Sequence, residues 1–127
     1  MHGILLFAHG ARDPAWARPF HAIAQRMREQ HSGGPVELAY LELMQPPLGT
    51  AVDALMQAGC RRVTVVPVFL GAGGHVKRDL PALLEDLRQR HPDLVLNSTC
   101  AIGESEAVIT ALADAAYGLA QQESQGA

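Results

Sequence analysis

Two histidines stand beside glycines, each shortly after an apolar run. His9 is followed by Gly10, and His75 follows the glycine-rich segment 71–74. An imidazole binds first-row divalent metal ions through nitrogen and, when neutral, accepts a proton. Glycine lets the main chain turn sharply or approach a bulky ligand, because it has no Cβ atom. These residue types suit a site that binds a metal ion or accepts a proton beside a large ligand, with His9 and His75 as the candidate groups.

The neighbours of these histidines suit an anionic ligand. The candidate binding residues are Gly10, Ala11, Arg12, Gly71, Ala72, Gly73, Gly74, Lys77 and Arg78. Arginine and lysine pair with carboxylates, and the free N–H groups of a helix that starts near His75 attract anions. Each of these charged side chains, taken singly, is equally compatible with ordinary solvated charge. Asp13 is predicted to cap the helix that begins at Pro14.

The other histidines lie at a terminus, on a predicted helix or at a helix end. We expect their side chains to be solvated or hydrogen-bonded and to have no catalytic role. They are His2, His21, His31 and His91.

Four apolar runs recur at intervals of roughly thirty residues and predict strands over 3–8, 36–41, 62–68 and 94–98. Segments with helical spacing follow each run. Their apolar positions are Phe20, Ile23 and Met27, then Leu48, Val52, Leu55 and Met56, then Leu80, Leu83, Leu84 and Leu87, and last Val108, Ile109, Leu112 and Ala116. Turn-forming residues at 32–35, 58–59 and 91–93 end the first three helices.

Strands separated by helices must run parallel, with helices on both faces of the sheet. The first and third runs are nearly all apolar and are therefore central, whereas Glu37 and Asn97 mark the second and fourth as edges. The sequence predicts an α/β three-layer sandwich with strand order 2-1-3-4 and flavodoxin-like winding. In that order the loops that carry His9 and His75 border one crevice, where a ligand should bind.

Composition limits the classes of partner. A length of 127 residues with 48% hydrophobic content suits a single domain, which we place at 1–120, with a disordered polar tail at 121–127. A net charge of −3 gives no global basic field for nucleic acid. We find neither a signal-peptide pattern nor an apolar run of membrane-spanning length, and Cys60 and Cys100 fit reduced structural thiols, so we expect a cytoplasmic protein.

Three segments carry a family resemblance. HGARDP at 9–14, YLELMQPPL at 40–48 and VPVFLGAGGHVKRDLP at 66–81 resemble, in order, the three signatures of the CbiX-type small sirohydrochlorin chelatases. These class II chelatases insert cobalt or iron into a tetrapyrrole without ATP. The chain departs from the common HGSRDP form at Ala11, which removes a hydroxyl near the site.

The resemblance implies that His9 and His75 handle the metal and that Glu42 matches the acidic position of the second signature. Glu42 is then a third ligand or a proton acceptor, with a plain surface carboxylate as the alternative. Co²⁺, Fe²⁺ or Ni²⁺ would be a substrate, with no permanently bound cofactor. The eight carboxylates of sirohydrochlorin would pair with cations such as Arg12, Lys77 and Arg78.

Two other functions fit parts of the pattern. His9-Gly10 near Arg12 suggests a histidine phosphatase, but an arginine normally precedes that pair, and here the position is Ala8. A carrier of tetrapyrrole or metal needs the same pocket and ligands as a chelatase, so the sequence leaves it open.

We also expect a homodimer. A macrocycle about 15 Å across is large against a domain with a radius of gyration of about 14 Å, so one crevice covers little more than one face of it. The longer relatives resemble two such domains in one chain. Candidate contact residues are the apolar Leu43, Met44, Pro46, Pro47 and Leu48, unless this segment caps its own core.

Overall fold

The computed structural model describes residues 1–71 and 73–126, without the side chains of His75 and Gln125. The strands are β1 (His2–Ala8), β2 (Val36–Tyr40), β3 (Arg62–Pro67) and β4 (Val95–Ser98). The helices are α1 (Arg18–Gln30), α2 (Leu48–Gln57), α3 (Gly74–Arg90) and α4 (Glu106–Gly126), with short 3-10 helices at Pro14–Ala17 and Ile102–Glu104.

The strands form one parallel sheet in the order β2-β1-β3-β4, which confirms the predicted α/β topology. Two hydrophobic clusters cover its faces. Leu5 and Phe7 of β1 belong to the cluster under α2 and α3, and Leu6 and Ala8 to the cluster under α1. This alternation makes β1 the centre of the sheet, buried on both sides.

The segment after β2 covers its own core in part. Leu48 is only 2% exposed and lies in the cluster under α2 and α3, and Met44 packs against the other cluster. Leu48 therefore lies in the protein's own core, which is the alternative expected for this segment, and is not available for a dimer contact. Leu43 and Pro47 are exposed.

Helix α4 differs from the other helices. Its predicted apolar face remains in solvent, with Ile109 45% and Leu112 47% exposed. The sheet is also open on the α1 side at β4, where Val95 is 55% exposed while its neighbour Leu96 is buried under α3. A helix and a sheet face therefore both lack a cover within the described chain.

In the structure residues 121–126 continue α4, where the sequence predicts a disordered polar tail. Glutamine and glutamate, which make up four of these six residues, have good helix propensity, and a helix that is already nucleated extends at little cost. Residue 127 lies outside the described residues. No helix within 1–71 and 73–126 has the length and apolarity needed to cross a membrane.

His2 gives the fold a pH dependence. Its Nε2 lies 2.8 Å from Thr64 Oγ1, and burial, with help from Arg62 and His31, lowers the pKa of His2 below 6.5. The unfolded chain therefore binds the proton more readily than the folded chain, and the contribution of His2 to stability falls as the pH falls from about 6.5 through the lowered pKa.

We expect chemical denaturation of the wild type to lose stability between about pH 7 and pH 5 more steeply than His2→Gln does, since the other histidines titrate in both proteins. Parallel curves for the two proteins would contradict the lowered pKa.

Candidate functional site

The candidate site lies where β1, β2 and β3 end. Ala8 pairs with Tyr40, and the ladder continues past both strands through Leu41 N–H donating to Ala8 O (2.9 Å) and Glu42 N–H donating to His9 O (3.1 Å). Parallel pairing thus carries the first and second signature segments side by side out of the sheet, which is how Glu42 comes to lie beside His9.

Gly10 makes this close approach possible. Its φ is +97°, and a Cβ atom at this position would lie 1.8 Å from the carbonyl oxygen of Glu42. Leu43, with φ +64°, turns the segment back, and Tyr40 N–H donates to Pro46 O at 2.9 Å. The main chain around Glu42 therefore packs directly on Gly10, and only glycine fits there.

His9 and Glu42 form the central pair of the site. His9 Nε2 lies 3.1 Å from Glu42 Oε1, and the two side chains are 50% and 55% exposed. Nitrogen and oxygen ligands about 2.1 Å from one ion, at right angles, lie about 3.0 Å apart. The pair therefore has the spacing of two adjacent ligands of one metal ion, and solvent reaches both groups.

The ring of Phe69 lies against the ring of His9. Its ring centroid lies 6.2 Å from that of His9 at an interplanar angle of 72°, and 5.9 Å from that of Phe7. Phe69 is 7% exposed, so it restricts the His9 ring from the core side. The sequence analysis did not predict this contact. Phe69 follows β3, the neighbour of β1 in the predicted sheet, so the predicted strand order could have placed Phe69 near His9.

The glycine-rich segment after β3 lies at the same edge of the sheet. A Cβ atom added at Gly71, Gly73 or Gly74 would meet no described atom within 4 Å. Gly73 and Gly74 begin α3, and His75 lies in its first turn. Ala72 and the side chain of His75 lie outside the described residues. This loop leaves the open space that a bulky ligand needs, next to the start of a helix.

The described side chains do not complete a metal site by themselves. Within them, no three groups from histidine, cysteine, aspartate and glutamate come together in a way that could hold an ion. His9 and Glu42 thus bring together two candidate donor atoms, one nitrogen and one oxygen.

The remaining predicted binding residues surround this edge. Ala11 is half-buried, and Arg12, Lys77 and Arg78 are exposed. Asp13 Oδ1 accepts a hydrogen bond from Ala15 N–H at 2.9 Å, which confirms its capping role.

The histidines predicted to be structural are placed as expected. His31 Nε2 lies 2.9 Å from His2 O, His91 Nε2 lies 2.6 Å from Asp53 Oδ1, and His21 is exposed on α1. The contacts of His31 and His91 join the C-terminal ends of α1 and α3 to the rest of the fold.

The CbiX family model matches residues 3–117. The chain belongs to the CbiX family. Among solved structures, a putative cobalamin biosynthesis CbiX protein from Marinobacter aquaeolei superposes on this CbiX-family chain with a TM-score of 0.85 and 32% identity, covering 96% of this chain and 99% of that one. The sirohydrochlorin chelatase SirB from Bacillus subtilis subspecies spizizenii, in complex with cobalt, gives a TM-score of 0.76 and 27% identity over 87% of this chain and 47% of its own.

Curated relatives of this CbiX-family chain point to the same family. A sirohydrochlorin cobaltochelatase from Methanocaldococcus jannaschii is 33% identical over 72% of this chain and 64% of its own length. One from Methanopyrus kandleri is 36% identical over 66% of this chain and 59% of its own. The match thus spans less than two thirds of these relatives.

Proposed function

We propose that this protein inserts a divalent metal ion, Co²⁺ or Fe²⁺, into sirohydrochlorin without ATP. The observation that carries the proposal is the His9–Glu42 pair, 3.1 Å apart and open to solvent at the switch point of the sheet. The similarity to sirohydrochlorin cobaltochelatases supports the substrate, and a structure of SirB from Bacillus subtilis with Fe³⁺ joins the cobalt complex in supporting the choice of metals. Ni²⁺ is a third candidate by its affinity for the same donors.

Metal insertion needs an ion stripped of part of its water and a base for the two pyrrole protons. His9 and Glu42 bind the ion through one nitrogen and one oxygen, and His75, in the first turn of α3, supplies a third donor. A set this small holds the ion weakly enough to release it to the four nitrogens of the macrocycle. As the ion leaves, the freed His9 nitrogen and Glu42 oxygen accept the pyrrole protons.

The tetrapyrrole lies over the open glycine-rich loop. Its carboxylates pair with Arg12, Lys77 and the N-terminal amides of α3, while Arg78 adds to the positive field around them without a fixed partner in the ligand. Gly71, Gly73 and Gly74, where an added Cβ atom would meet no described atom within 4 Å, leave the face of the macrocycle unobstructed, and Gly10, Ala11 and Ala72 complete the binding segments. Turnover with protein far below the substrate concentration separates this function from a carrier, which would stop after one equivalent.

The protein acts in the cytoplasm, which its two free thiols, Cys60 and Cys100, support.

The active form is a homodimer in which α4 of each copy covers the open sheet face of its partner. The apolar side of α4 and Val95 of β4 are both exposed in one chain. In a dimer with a two-fold axis, α4 of each copy covers Val95 of the other copy, so both apolar surfaces become buried. Charge supports the match, because α4 carries acidic residues and no lysine or arginine, whereas Arg62 lies on the same sheet face as Val95.

Light scattering at micromolar concentration should give twice 13.6 kDa for the wild type and a monomer for Leu112→Glu, which places a charge on the apolar side of α4. Leu43→Glu is the matched control and also tests the other expected contact, the segment 43–48. Leu43 is 59% exposed but lies off α4, so this variant should remain dimeric. A wild-type monomer of 13.6 kDa that turns over would contradict the dimer.

A further inference from the structure

A cavity of about 340 Å³ opens between α3 and the segment that follows β4. Phe69 lines it, and the same ring makes the edge contact with His9. Leu84 of α3 and Ala101 after β4 contribute apolar wall. One aromatic ring therefore separates the cavity from the candidate metal-binding group.

The charges that line the cavity give it a net positive character. Lys77 and Arg88 face it with one carboxylate, Glu104. Arg88 is held in place, because its Nε donates to Leu96 O at 2.8 Å and its Nη1 lies 3.5 Å from Glu85 Oε2. Lys77 is exposed on the first turns of α3 and can turn its ammonium group towards an incoming anion.

The size of the cavity limits its occupant. Ligand pockets start at about 300 Å³, which is too small for a whole tetrapyrrole but enough for one pyrrole ring with its carboxylate arms. Apolar walls suit the ring and the methylene groups, and a cation suits a carboxylate. We propose that this cavity holds one corner of the macrocycle and that Lys77 pairs with a carboxylate arm there; this rests on the proposed function.

Lys77 and Arg78 are adjacent cations with different surroundings. Lys77 lines the cavity, whereas Arg78, also exposed on α3, lies outside that lining. If the cavity binds a carboxylate arm, loss of the Lys77 charge should weaken sirohydrochlorin binding more than loss of the Arg78 charge. If the two cations only add to a general attractive field, the two losses should weaken binding equally. Glu104 places a negative charge in the same lining, so its neutralisation should strengthen sirohydrochlorin binding.

The test measures the binding of metal-free sirohydrochlorin by its absorbance change, with no metal present. Lys77→Gln should raise the dissociation constant about tenfold, as expected for loss of a charge-assisted hydrogen bond. Arg78→Gln, with the same loss of charge, should raise it by less than about twofold. Glu104→Gln should lower it. Equal effects of Lys77→Gln and Arg78→Gln, or no effect of either, would overturn the proposal.

Ala101→Phe tests the space itself. A phenyl ring that fills the cavity should weaken sirohydrochlorin binding while Co²⁺ binding and the thermal midpoint stay unchanged, and undiminished sirohydrochlorin binding would overturn the corner pocket. Binding that follows this pattern without any turnover would support the pocket and contradict the proposed chelatase activity. A wild type that does not bind sirohydrochlorin at all would overturn both.

Discussion

His9→Ala should lower the rate of metal insertion by a factor of about 100 or more, because it removes a metal ligand and a proton acceptor together. His9 Nε2 is one half of the pair with Glu42 Oε1. The side chain is half exposed, so its removal leaves little cavity and the fold should persist. The measurement is the steady-state appearance of cobalt-sirohydrochlorin by absorbance.

His21→Ala is the matched control, since His21 is exposed on α1 away from the site, and its rate should equal that of the wild type. Glu42→Gln keeps the shape of its side chain and loses only the charge, and it should lower both the rate and the affinity for Co²⁺ measured without tetrapyrrole. A near-normal rate for purified His9→Ala would remove His9 from the mechanism.

Gly10→Ala should abolish most activity and also destabilise the fold by about 2 kcal/mol or more. An alanine at φ +97° is strained, and its Cβ would lie 1.8 Å from Glu42 O, so the segment that carries Glu42 must move away from His9. Chemical denaturation measures the loss of stability, and a Co²⁺ titration measures the loss of the His9–Glu42 spacing.

Gly49→Ala makes the same chemical change where the new Cβ meets ordinary contacts, at 3.6 Å from Leu87 and 3.7 Å from Arg90. It lies in helix α2 and should not destabilise the protein. Unchanged Co²⁺ affinity in Gly10→Ala would show that the approach of Gly10 to Glu42 does not position the metal-binding pair.

The topology could be predicted from the sequence, because the strand order depends on the pattern of apolar and polar residues in each strand. Nearly continuous apolar runs at β1 and β3 require central strands, and polar positions such as Glu37 and Asn97 require edges, which gives the order 2-1-3-4. That order alone placed the loop with His9 next to the glycine-rich loop at one edge of the sheet.

Contacts that depend on exact register did not follow from the sequence. Gly10 was expected to give a sharp turn, but the approach of its backbone to Glu42 O depends on how far the β1–β2 ladder continues past both strands. The wall that Phe69 makes for His9 depends on side-chain direction in a loop.

The apolar pattern of α4 predicted a helix, but it carried no information about which surface would cover that helix. In the structure its Ile109 and Leu112 stay exposed. A hydrophobic periodicity predicts that one face will be buried, and it does so equally for burial within one chain and between two copies.

The most direct test of the central claim is metal insertion at substoichiometric protein. With about one protein per hundred sirohydrochlorin molecules and saturating Co²⁺, the account predicts continuous formation of the metallated product until the tetrapyrrole is consumed, at a rate well above that without protein. In parallel assays Fe²⁺ replaces Co²⁺, and the metal with the faster rate is the preferred substrate. Product formation that stops after one equivalent per site, or a rate equal to the uncatalysed one with both metals, would contradict the proposal that this CbiX-family protein is a chelatase.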